Sequence, residues 1–151
     1  MTVLLEEENV TAVKLSLELE RAVIQHELQE DGGLYITEDS WFPCWVRILK
    51  NSGFVGFTTY ITFRKSSTHL QRLELANLFN KKNYLTTAFV DGEKLIIDHV
   101  LGYRGGMLTE TFIRGCRQYS ASIGRSLSDF DPDYQVLLPL GETESEDAES
   151  E

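Results

Sequence analysis

Asp91-Gly92 joins two runs that alternate apolar and polar residues, "YLTTAFV" and "KLIIDHVLGY". A glycine at this point allows the positive φ that matches the twist of two returning strands, so the runs read as an antiparallel hairpin. Every other element has to fit that sheet. A leucine-rich helix runs up to Lys82, capped by Ser66 or Ser67. Three strands precede it: 34–37, 43–50 and 54–65, the last two turned through Asn51-Ser52-Gly53. A first helix over about 16–29 takes Ser16 as its N-cap and ends at Asp31-Gly32-Gly33. A third opens at Thr109, shows Phe112, Cys116, Tyr119 and Ile123 along one stripe, and breaks at the acidic turn from Asp129 to Asp133. The order α-β-β-β-α-β-β-α predicts an α+β fold, a five-stranded antiparallel sheet with three helices packed on it.

A chain of 151 residues fits one domain with its own core, placed here at 11–140. The net charge of −10 lies mainly at the two ends. Glu6 to Glu8 supply three acids and the last eleven residues six, and setting those aside leaves 15 acids against 14 bases. The reading is an acidic, flexible leader over 1–10 and an acidic, disordered tail over 141–151. A neutral body lacks the basic footprint of a nucleic-acid binder. No apolar run reaches the ~20 residues of a membrane span, and no basic, apolar leader marks secretion. Two cysteines in no metal-like spacing fit a reducing, cytoplasmic setting.

The chemical motifs are weak. "GYRGG" (102–106) lacks the spacing and the Lys-Ser/Thr of a phosphate loop. Asp98 and His99 point to opposite faces of a strand and cannot work as a pair. "DFDPDY" starts like a calcium loop but has Tyr134 where glycine is needed and Leu140 where a bidentate acid is needed. Three scattered histidines make a zinc site improbable. No catalytic set, metal or cofactor is expected. Arg114, Arg117 and Arg125 share one face of the third helix; this is either a solvated basic face or a docking strip for an acidic segment.

The second helix carries apolar residues on two sides. Leu70, Leu73 and Ala76 fall with Asn77 and Asn80; Leu75, Leu78 and Phe79 fall on another side. One sheet cannot bury both in so small a domain. Leu75, Leu78 and Phe79 are therefore expected to meet a partner or a second copy. Asn77 and Asn80, three apart, form an amide patch that must be satisfied if it is buried, and are expected to fasten the helix to the following hairpin.

The run "LELANLFNKKNYLTTAFVDGEKLIIDHVLGYRGGMLTETF" resembles the YbjN family of proposed bacterial sensory transduction regulators: a helix ending in Asn-x-x-Asn, a strand, a Gly-containing turn, a strand, then Gly-Gly and a new helix. The resemblance extends loosely over residues 16–125. It departs at Gly102 and Tyr103, where the family pattern suggests a proline and an aliphatic residue. It implies a fold similar to the class I type III secretion chaperones, which are small, acidic, dimeric and non-enzymatic. It also implies that Asn77 and Asn80 are fold residues and that the second helix lies at a dimer interface.

The function expected is a non-enzymatic module that binds a protein or peptide, forms a homodimer, and uses sheet edges and apolar grooves. "YQVLLPL" (134–140) is a candidate plug of such an edge. The alternative is a ligand-sensing domain with Tyr60, Arg47 and His99 around a pocket.

Overall fold

The computed structural model describes residues 2–144. Six strands form one antiparallel sheet: β2 (His26–Leu28), β3 (Leu34–Ile36), β4 (Cys44–Leu49), β5 (Phe54–Thr62), β6 (Thr87–Asp91) and β7 (Lys94–Gly102). Their order across the sheet is β2-β3-β4-β5-β7-β6. Two more, β1 (Leu4–Leu5) and β8 (Met107–Leu108), form a separate two-stranded ladder. The helices are α1 (Ala12–Arg21), α2 (His69–Lys82) and α3 (Thr109–Phe130). The longest register runs from Phe54↔Gly102 to Thr62↔Lys94.

The five-stranded expectation is corrected to six strands plus a two-stranded ladder. The missed strand lies in the stretch read as the end of the first helix. That helix starts earlier, because the Thr11 hydroxyl accepts the Lys14 N–H at 3.3 Å, and it stops at Arg21. Ser16 is no cap: it lies inside α1, and its hydroxyl is 2.7 Å from Nε2 of His26, tying helix to strand. The second helix begins one turn-residue later than expected. Thr68 caps it, and Gln71 completes a reciprocal capping box.

The leader expected to be loose is paired instead. Leu4 and Leu5 face Leu108 and Met107. Val3 exchanges two hydrogen bonds with Thr109, and the Thr2 hydroxyl accepts the Glu110 N–H. These bonds satisfy the first turn of α3, whose own N-cap side chain makes none. Gly106 lets the strands come this close, since a Cβ there would lie 2.9 Å from the Leu5 carbonyl. The tail expectation falls mostly on residues 145–151, outside the described residues.

Strand alternation sorts the sheet into two faces. Leu34, Ile36, Val46, Val55, Phe57, Ile61, Leu95 and Ile97 are buried on one face with Leu15 and Leu19 of α1, Leu75 and Phe79 of α2, and the Phe112–Leu127 stripe of α3. All belong to one continuous core. The Tyr119 hydroxyl donates to the Ile97 carbonyl at 2.7 Å and lies 2.9 Å from Oγ1 of Thr59, bolting α3 to the sheet centre.

Candidate protein-binding face

Among the described residues no helix covers the opposite face of the sheet. Register places Glu27, Tyr35, Trp45, Thr58, Asp98 and Thr87 in one row across it, and Tyr60, Ile96 and Phe89 in the next. Tyr35 stacks on Trp45 with centroids 4.4 Å apart, and the Arg47 guanidinium lies 5.4 Å from the Trp45 ring. Tyr60, Phe89 and Val100 are each more than 40% exposed. A groove of about 270 Å³ opens here between Tyr35, Phe42, Trp45 and Tyr60 on one side and Leu138 to Glu142 on the other.

The far wall of that groove is built by the segment expected as an edge plug. Leu137 bridges Phe63, while Arg64 donates its backbone N–H to Val136 and Thr62 accepts from Leu138. The segment extends the sheet beside the end of β5. A buried carboxylate holds it: Asp131 accepts the backbone N–H groups of Gln135, Val136 and Leu137 at 2.9–3.2 Å. Leu137 is itself fully buried, so the segment is part of the core.

The two sheet edges differ. At β2, the bonds of Gln25 to Thr37 and of Gln29 to Gly33 fix the alternation, so Glu27 faces β3 while His26 and Leu28 turn their backbone groups outward. Among the described residues nothing bonds those outward groups. At β6, the outward groups of Ala88 are taken. Its N–H donates to Oδ1 of Asn80 at 2.8 Å, and its carbonyl accepts Nδ2 of Asn80 at 2.9 Å.

The expected partner surface on α2 is corrected. Leu75 and Phe79 are 3% and 0% exposed within this one chain, and Phe79 packs edge-on against Phe130 at 5.3 Å. Leu78 is half-buried. The exposed apolar residues are Leu70 and Leu73, on the side assigned to the sheet. Leu75 and Phe79, expected to face a partner, meet the core, and Ala76 joins them from the side that carries Leu70 and Leu73. Asn77 is exposed and takes no part in the Asn80 clamp. The second fastener is Asn83, whose Nδ2 donates to Oγ of Ser126 at 2.9 Å while its Oδ1 accepts the Leu85 N–H. An asparagine following the helix was the available signal for it.

Arg114, Arg117 and Arg125 are all exposed on α3, and Arg114 pairs with Glu110 one turn earlier. Tyr60, Arg47 and His99 do not share a pocket. Tyr60 and Arg47 lie on the open face; His99 lies on the helix-covered face beside Phe57 and Tyr119. His99 Nδ1 is 2.9 Å from the Leu85 carbonyl and donates to it. Burial lowers its pKa, and that hydrogen bond partly opposes the shift. Burial also pushes the Cys44 thiol up to about 12 and the Cys116 thiol well above the usual range, which suits packing rather than nucleophilic work. Among the described residues no group of three or more His, Cys, Asp or Glu could hold a metal ion, and no helix is long and apolar enough to cross a membrane.

The sequence profile of YbjN, "Putative bacterial sensory transduction regulator", matches residues 11–132. The chain belongs to the YbjN family. No curated protein matches it. The crystal structure of YbjN from E. coli is similar in fold, with a TM-score of 0.68 at 19% identity over 84% of this chain and 95% of that one. The chaperone–effector complex HopA1-SchA contains a similar chain: TM-score 0.54, 11% identity, 76% of this chain and 90% of that one. So does the Yersinia pestis type III secretion chaperone SycH in complex with a stable fragment of YscM2: TM-score 0.50, 10% identity, 78% and 97%. At these identities the likeness is one of fold. This chain thus shares its α+β layout with YbjN and with a type III secretion chaperone.

Proposed function

We propose that this YbjN-family chain is a non-catalytic binding module for an extended protein segment, chaperone-like or regulatory in role. One observation carries the reading: a sheet face that no helix of the described residues covers is lined by Tyr35, Trp45, Tyr60 and Phe89, with a groove along it. Aromatic side chains of this kind supply large contact area at low entropic cost. The outward groups of β2 offer backbone hydrogen bonds beside the same face, the arrangement that strand addition requires. Two chains similar in fold come from structures of complexes with protein partners. Self-association, expected from α2, would use Leu70, Leu73 and Leu78 instead of Leu75 and Phe79.

The test is an array of short peptides of varied sequence, probed with the full chain and with a Trp45→Asp/Tyr60→Asp variant. Apolar, extended peptides should retain the unmodified chain and not the variant. Equal retention of both, with circular dichroism showing both folded, would remove the reading.

A further inference from the structure

Asn80 does more than fasten a helix. β6 is the last strand of the sheet, and its edge is one that a further strand could join. The hairpin closes at Asp91↔Lys94, and Thr87↔Asp98 and Phe89↔Ile96 share its phase, so Thr87, Phe89 and Asp91 turn their backbone groups toward β7. Ala88 and Val90 turn theirs away. Of these, Ala88 gives its N–H to Oδ1 of Asn80 and takes Nδ2 of Asn80 on its carbonyl. A carboxamide has the donor and acceptor of a peptide group. It therefore makes at Ala88 the pair of bonds that one residue of an added strand would make. Among the described residues nothing bonds the outward groups of Val90.

We infer that Asn80 closes the β6 edge against β6 of a second copy of this chain. The sequence of the strand suits that occupant. Two copies run antiparallel about Phe89 place Ala88 opposite Val90, Phe89 opposite Phe89, and Thr87 opposite Asp91. Phe89 is 45% exposed, so the aromatic pair would gain cross-strand contact on the open face. No like charges face each other in this register. Its backbone bonds run between the outward groups of Ala88 in one copy and Val90 in the other, so each has Ala88 at one end. Occupying Ala88 alone is enough to block the whole ladder. One side chain, placed by the last turn of α2, thus decides whether the sheet ends at β6 or continues through a two-fold axis.

The experiment uses the full chain. In the unmodified protein the Ala88 amide should exchange with solvent at least about tenfold more slowly than the Val90 amide, although both lie on an edge. Asn80→Ala should double the mass found by light scattering, relative to whatever mass the unmodified chain shows. Adding Val90→Pro, which removes an outward N–H and leaves the β7 ladder intact, should reverse that doubling. The inference is overturned if Ala88 exchanges as fast as Val90 in the unmodified chain. It is equally overturned if Asn80→Ala is folded by circular dichroism and keeps the original mass. Should Asn80→Ala fail to fold, the exchange rates in the unmodified chain decide the matter.

Discussion

The Ile24 N–H donates to the Leu19 carbonyl at 2.9 Å across the end of α1. Val23 donates to Glu20 inside that loop, and the two bonds together make a Schellman ending with Val23 at its left-handed position, φ 58°. Glycine normally stands there; a β-branched residue costs roughly 1–2 kcal/mol. Val23 is 85% exposed, so it returns almost no packing. Val23→Gly should raise the unfolding free energy by about 1 kcal/mol, read from the urea midpoint at constant m.

Asp131 should be the most sensitive acid in the chain. Asp131→Ala would leave three backbone N–H groups without their acceptor in a buried turn. A loss of about 2–4 kcal/mol is expected. Limited proteolysis should also cut faster after Asp133, because the turn that leads into Leu137 would keep the Tyr134 contacts to the Asp131 carbonyl and the Arg64 guanidinium but lose the three bonds gathered by the carboxylate. Unchanged cleavage with lowered stability would show that Leu137 packing and the backbone bonds to Arg64 and Thr62 hold the segment without the carboxylate.

Acid should weaken the fold through His99. Its folded pKa lies below the ordinary 6.5, with burial the main cause, so the unfolded chain binds the proton more readily. The stabilising effect of neutral His99 is fully present above the unfolded value. It drains away as pH falls from there through the folded pKa, and is level below it. Thermal midpoints taken from about pH 8 to about pH 5 should drop less in His99→Gln, which can still donate to the Leu85 carbonyl.

The two sides of α2 should respond differently to charge. Leu75→Asp places a carboxylate in the core and should cost about 3–5 kcal/mol. Leu70→Asp with Leu73→Asp should leave the fold intact, since both side chains face solvent. If α2 mediates self-association, that double variant lowers the solution mass by light scattering while Leu75→Asp does not yield a folded monomer. A mass unaffected by the double variant rejects α2 as the self-interface.

The hairpin around Gly92, the stripe of α3 and the run of strands from β3 to β5 were legible because each obeys a local rule. The end of α1 was not. Leu, Glu and Gln continue past Arg21 and favour helix, while the break is a valine in a conformation that valine rarely adopts. Periodicity found the two apolar sides of α2 but could not rank them, since burial is decided by contacts outside the helix: Phe130 at the end of α3 and the β6 edge held by Asn80. The open sheet face was invisible for a related reason. Tyr35, Trp45, Tyr60 and Phe89 come from four strands, and only the register brings them into adjacent rows.

The bonds between Val3 and Thr109 span 106 positions. They set an order of events during synthesis. Residues 2–5 leave the ribosome early and have no strand to pair with until β8 and the start of α3 emerge. A segment made well ahead of its partner is thus among the last to be fixed, and the clasp reports completion of nearly everything between its two halves. A ribosome stalled before Met107 would hold a chain with its sheet strands translated and its leader still free, and a protease could tell that chain from the finished one.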